Sequence, residues 1–234
     1  MSTPQPPLFL AARVIDAQKV SPLLTLLKVE AAPDVRTGYR IPGQYVQIKE
    51  GAHKPGFFAL ANKPGGAHFE LLIKSGSPLG DALSAKKVGD ALEITAPAGK
   101  GYPLAEARGN PLYLVGVGSG LGPLRAVLQY ALEKRGEFGA LHFYYGARHP
   151  DDFPFMAEQA EWARAGVELV RCCSKPEAVW HEATGHVQDV LKRRKPALNM
   201  QTCFFACGMK EMVAGLKAVV PELGAAPERV FQNF

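Results

Sequence analysis

Hydrophobic positions change their rhythm once along the chain. From Phe9 to about Ala98 they fall in short continuous or alternating runs, FLAARVIDA, LLTLLKVE, QYVQIK, FFALAN, FELLIK and ALEITA, divided by the Gly- and Pro-bearing breaks IPG, KPGG and PAGKG. Runs of this length and spacing predict six short strands in an antiparallel barrel or sandwich. From Pro111 onward apolar strands alternate with helical patterns: PLYLVGV, then GPLRAVLQYALEKRG; ALHFYYG, then PFMAEQAEWARAG; VELVRCC, then GHVQDVLKRRK; TCFFACG, then KEMVAGLKAVV; and finally RVFQNF. That alternation predicts a parallel sheet covered by helices on both faces. The change falls in Glu106–Pro111, so the expected domains are a β-barrel over residues 1–108 and an α/β domain over 109–234.

Composition narrows the class. With 47% hydrophobic and 21% charged residues the chain is ordinary globular material, which excludes collagen, coiled coil and disorder. No run approaches the roughly 20 apolar residues of a spanning helix. The start, MSTPQPPLFLAARV, lacks a basic segment followed by an apolar core and a cleavage site. The expectation is a cytoplasmic protein. Lys plus Arg 27 against Asp plus Glu 22 leaves +5, too little for a nucleic-acid binder and suited to an anionic small ligand. The four cysteines, Cys172, Cys173, Cys203 and Cys207, lack the spacing of a zinc or iron–sulfur site and read as buried reduced thiols. Lys192-Arg193-Arg194-Lys195 precedes Pro196 and reads as a cationic helix end. HEATGH separates its histidines by five positions, not the four that share a helix face, so no metal site is expected.

The strongest chemical signal is GVGSGLGP, Gly116 to Pro123, between an apolar strand run and a helical pattern. Glycines let the chain turn tightly and approach a pyrophosphate, and the following helix offers free N–H groups and the positive end of its dipole. Absence of GK[ST] excludes an ATP-type loop. The second strand run ends at Tyr145-Gly146 with Arg148 beyond it and no ribose-binding carboxylate in view.

This GxGxGxxP loop, opening an α/β domain that follows a barrel, resembles the ferredoxin-NADP reductase-like flavoenzymes over nearly the whole chain. The resemblance implies that Gly116, Gly118, Ser119, Gly120 and Pro123 bind the pyrophosphate of NADP or NAD. It implies that Cys207 and Gly208, matching a Cys-Gly-Pro whose proline is here Met209, flank the site of hydride transfer. Ser174 and Lys175, similar to a Ser-Arg pair, would hold the adenosine side, and with Arg148 they lean toward NADPH over NADH.

In the barrel the resemblance implies FAD, on a motif Arg-x-Tyr-Ser or Thr that falls on Gly56, Phe58 and Ala59. Phe58 keeps a stacking face; Ala59 and Leu60 complete the run. Lys54 is the candidate replacement for the missing arginine, and Lys74, Gly76 and Ser77 form the second flavin element, before a short helix. The terminal Phe234 would lie over the flavin as a gate. The expected function is a flavin-dependent NAD(P)H oxidoreductase passing electrons to a separate protein or small acceptor. The alternatives are a nucleotide-binding or regulatory module that has lost flavin, and a nicotinamide dehydrogenase acting on an organic substrate without flavin.

Overall fold

The computed structural model describes residues 6–233. Six strands, β1 (Leu10–Ser21), β2 (Leu24–Glu30), β3 (Tyr45–Lys49), β4 (Gly56–Ala59), β5 (Phe69–Lys74) and β6 (Ala91–Ile94), match the six predicted runs. They pair antiparallel in the order β4-β3-β6-β1-β2-β5. The sheet closes on itself, because a bridge joins Leu60 to Leu71 and the Ala61 N–H donates to the Glu70 carbonyl at 2.7 Å. Three short helices, α1 (Pro33–Arg36), α2 (Pro78–Ser84) and α3 (Leu104–Ala107), sit in the connections.

Burial explains the spelling of the strands. On β6, Leu92 and Ile94 point inward while Ala91 and Glu93 are exposed, the alternation of a strand with one wet face. On β2 and β5 both faces are buried. Leu27, Leu71 and Ile73 fill the barrel, whereas Leu26 and Leu72 turn outward against the second sheet. LLTLLKVE and FELLIK are therefore continuous runs.

The second half builds β7 (Leu112–Val117), α4 (Leu121–Glu133), β8 (Leu141–Ala147), α5 (Met156–Arg164), β9 (Glu168–Cys173), β10 (Ala183–Thr184), α6 (Val187–Arg194), β11 (Cys203–Cys207), α7 (Lys210–Val219) and β12 (Val230–Phe231). All strands are parallel, in the order β10-β9-β8-β7-β11-β12. One strand escaped the sequence reading: β10, two residues inside HEATGH, too short for any period to show. One face of this sheet carries α6 and α7 through Val190, Leu191, Val213 and Leu216. The other carries α4, through Leu124, Val127 and Leu128, together with the barrel residues Leu24, Leu26, Ala61 and Leu72, all in one continuous core.

Polar contacts reinforce that seam. Arg125 of α4, buried, donates to Glu70 of β5 at 2.5 Å, to the Ala61 carbonyl at 2.8 Å and bidentately to Glu158 of α5 at 2.7 and 2.9 Å. The Tyr102 hydroxyl donates to the Ala206 carbonyl at 3.1 Å, its ring stacked on Phe205. The buried Asn233 amide donates to the Gly43 carbonyl at 3.0 Å, tying the end of the chain to the barrel. The basic run does close a helix: Lys192, Arg193 and Arg194 form the last turn of α6, and Lys192 and Arg194 pair with Glu222 and Glu168.

Candidate functional site: a cleft at the carboxyl ends of the parallel strands

Strand order reverses direction between β7 and β11, since the chain runs from β7 outward to β10 on one side and returns to β11 on the other. In open α/β sheets the crevice outside the carboxyl ends at such a point is where ligands bind. A cavity of about 880 Å³ lies there, within the usual range of roughly 300–1,000 Å³ for small-molecule sites. Its wall brings together Gly118, Ser119, Gly120, Arg148, Ser174, Lys175, Cys207 and Gly208 from the α/β half and Ser21, Leu23, Leu24 and Lys74 from the barrel.

The glycine row divides by task. Gly118 is left-handed (φ 56°) and open to the cleft, with the Lys74 ammonium beside it. Its carbonyl accepts from the Tyr145 hydroxyl at 3.0 Å, which tacks the loop to β8. Gly120 lies against the backbone of Cys207, so that a Cβ there would overlap the Cys207 carbonyl. Gly116 and Pro123 stand behind the wall. A Cβ on Gly116 would come within 2.6 Å of Leu124, and Pro123 is buried in the first turn of α4, where a missing N–H costs little. These two residues shape the loop and do not line the cavity.

Cys207 is buried, and burial pushes its thiol up to about 11, against the opposing pull of the Tyr102 hydroxyl. It stays a neutral thiol near pH 7, an apolar surface and not a nucleophile. Gly208 fits tightly beside it, since a Cβ would come within 2.5 Å of Val117. The sequence reading missed Asp152, His186, Gln188, Glu211 and Met212, which complete the wall from segments far apart in the chain. Asp152 corrects one inference: an acid does stand near Arg148, its carboxylate accepting from the His149 N–H at 3.1 Å.

An oxidoreductase NAD-binding domain model matches residues 114–218, the segment that builds this cleft. The chain is similar in sequence to reductase components and in fold to ferredoxin-NADP reductase-like proteins. It is 26% identical to the fruit protein pKIWI502 of Actinidia deliciosa, over 94% of this chain and 74% of that one. It is 29% identical to the reductase component of a propane 2-monooxygenase from Rhodococcus jostii, over 89% of this chain and 59% of the relative, which is thus considerably longer. A ferredoxin NADP+ reductase from Neisseria gonorrhoeae with bound FAD and NADP superposes with TM-score 0.82 at 18% identity, covering 96% and 97% of the two chains. An Amycolatopsis cytochrome P450 reductase gives 0.84 at 24%, covering 99% of this chain and 71% of its own.

Against this ferredoxin reductase-like frame the barrel positions fit FAD poorly. Lys54, the candidate replacement for the arginine, lies exposed in the connection before β4, across Pro55 from it, and not on the strand. A Cβ on Gly56 would come within 2.7 Å of Leu79 and 3.0 Å of Phe58, so these side chains take the room an arginine stem needs. Phe58 is half-buried against the barrel core, Ala59 offers no hydroxyl, and Leu60 is fully buried in the barrel. At the second flavin element the Gly76 N–H donates to Asp81 at 2.7 Å and the Ser77 hydroxyl accepts from the Gly80 N–H at 3.1 Å. Those polar groups are spent within the chain, beside a carboxylate that repels phosphate. Phe234 lies outside the described residues.

Proposed function

We propose that the protein is an NAD(P)H-dependent reductase of the flavin-linked type, which takes electrons from a nicotinamide dinucleotide bound in the cleft and delivers them to a separate acceptor. The carrying observation is the cleft itself, where the Gly118–Gly120 loop and Cys207-Gly208 meet at the strand-order reversal. The match to an oxidoreductase NAD-binding domain and similarity to relatives named as reductase components support the reading over a purely regulatory module.

In this reading the loop amides and the amino end of α4 receive the pyrophosphate, with Lys74 supplying a cation from the barrel. Arg148, Ser174 and Lys175 take the adenosine end and favour NADPH. The nicotinamide lies against Cys207 and Gly208, whose small, neutral surfaces let the ring approach without competing chemistry. No acid–base pair is required, because hydride transfer is the cofactors' own chemistry. Phe234, next in sequence after Asn233, is the proposed gate. The +5 charge suits an acidic acceptor.

The compartment belongs to the same proposal. No helix among the described residues is long and apolar enough to cross a membrane. The four cysteines are buried and free, which supports a reducing cytoplasm. The test is anaerobic loss of 340 nm absorbance from NADPH and, separately, NADH, with ferricyanide as acceptor and flavin added. Consumption dependent on the protein sustains the reading; binding of nucleotide with no electron transfer to any acceptor defeats it.

A further inference from the structure

The barrel surface at Gly56 and α2 bears directly on how flavin meets this protein. A resident dinucleotide flavin needs donors or cations for its diphosphate. Here the space beside Gly56 is taken by Leu79 and Phe58. The Gly76 N–H and the Ser77 hydroxyl already have partners, one of them the Asp81 carboxylate, and Pro78 at the first helical position brings no N–H. A diphosphate on this surface would meet an acid and an apolar side chain, a desolvation cost with no return. The cleft offers the opposite: Leu23 and Met209 are large apolar side chains, 47% and 61% exposed, on its barrel and α/β walls respectively. Exposed apolar residues converging on a cavity suit a flat, largely apolar ring.

We propose that flavin reaches this protein as an exchangeable substrate recognised through its ring, and not as a resident dinucleotide held by its diphosphate. This rests on the reductase reading above. The reaction balances as it stands: the C4–H bond of the reduced nicotinamide breaks, its hydride forms an N–H bond on the oxidised flavin, and one proton from water completes the dihydroflavin. Nicotinamide is oxidised and flavin reduced by two electrons. Recognition through the ring and its ribityl chain makes riboflavin, FMN and FAD equivalent substrates.

The experiment is an anaerobic titration of the purified full chain with riboflavin, FMN and FAD at fixed NADPH, read at 340 nm, after recording the visible spectrum of the protein as isolated. The expected result is a colourless protein with KM values for the three flavins within about threefold. FAD that copurifies with the protein, or a KM for FAD more than tenfold below that for riboflavin, overturns the inference and leaves the reductase reading intact. Reduction of ferricyanide without any flavin turnover does the same. Failure of every acceptor overturns both. The triple variant Gly56→Arg, Leu79→Ala, Asp81→Asn, checked for folding by circular dichroism, provides the converse: FAD binding should tighten at least tenfold while riboflavin stays within twofold. A folded variant without that selective gain overturns the assignment of this surface.

Discussion

Gly120 sits flat against the carbonyl group of Cys207, with no room between them for a single methyl group. The contact welds the nucleotide loop to the end of β11, so the two parts of the cleft move together. Gly120→Ala must push α4 away from β11, and its backbone neighbour cannot rotate aside as a side chain would. We expect at least a tenfold rise in the Kd for NADPH by fluorescence titration, with a fall in Tm. Gly118→Ala, where the space is open, pays only for its left-handed φ, of order 1–2 kcal/mol, and should bind measurably better than Gly120→Ala.

Arg125 is buried among three acceptors on both halves. Arg125→Met leaves the buried Glu70 carboxylate with only its 3.3 Å contact to His68, and losing one member of such a buried pair costs about 3–5 kcal/mol. Urea unfolding should show that loss. The double variant Arg125→Met, Glu70→Gln should recover part of it, because the stranded charge is then gone.

Three buried thiols set an alkaline limit. Burial holds Cys207 up to about 11 and Cys172 and Cys203 up to about 12, against an ordinary value of 9.0. Each raised thiol keeps its proton in the folded protein where the unfolded chain has lost it. The folded state therefore binds more protons above pH 9, and stability declines as pH rises from 9 toward 11–12, by at most about 1.4 kcal/mol per pH unit for each thiol. Unfolding free energies at pH 7, 9 and 10.5 check the slope, and Cys172→Ser with Cys203→Ser should flatten it. At pH 8 a thiol reagent should label the native protein slowly and the urea-unfolded protein fast.

Lys74 is exposed on the barrel side yet faces the nucleotide loop. Lys74→Met should weaken NADPH binding by about three- to tenfold and reduce its salt dependence, as removal of a single phosphate-facing cation does at a partly screened site. Nicotinamide mononucleotide, which carries only one of the two phosphates, should be affected less. Equal losses for both ligands would remove Lys74 from the phosphate site.

Deletion of Phe234 tests the gate. If the residue covers the hydride-transfer position, stopped-flow measurements should show faster nucleotide entry and altered transfer. An unchanged pair of rates rejects the role.

The strands and helices were legible because their period follows from burial, which is set locally by each side chain. What the sequence hid is relational. Closure of the barrel depends on Leu60 meeting Leu71, and nothing in either run announces a partner. Lys74 reads as a flavin residue from its place at the end of β5, but its ammonium lies across the seam beside Gly118. Asp152 reaches the cleft from a short helical turn beyond β8, five positions past the strand, where a search at the strand end does not look. The loop glycines spell one motif and perform three tasks, which separate only when the neighbours of each are known. Gly56 shows a missing arginine in the sequence; that Leu79 has filled the vacancy appears only in three dimensions.

One apolar core serves both sheets, running from Leu72 and Ala61 of the barrel through Gly122 and Leu124 of α4 to Phe205. A seam of that kind has no hinge. The jaws of the cleft cannot part to admit a ligand without exposing Leu26, Leu72 and Leu128 to water, so opening them costs buried apolar area. A ligand therefore meets walls that are already assembled, and whatever selectivity the cleft has is built in before anything arrives.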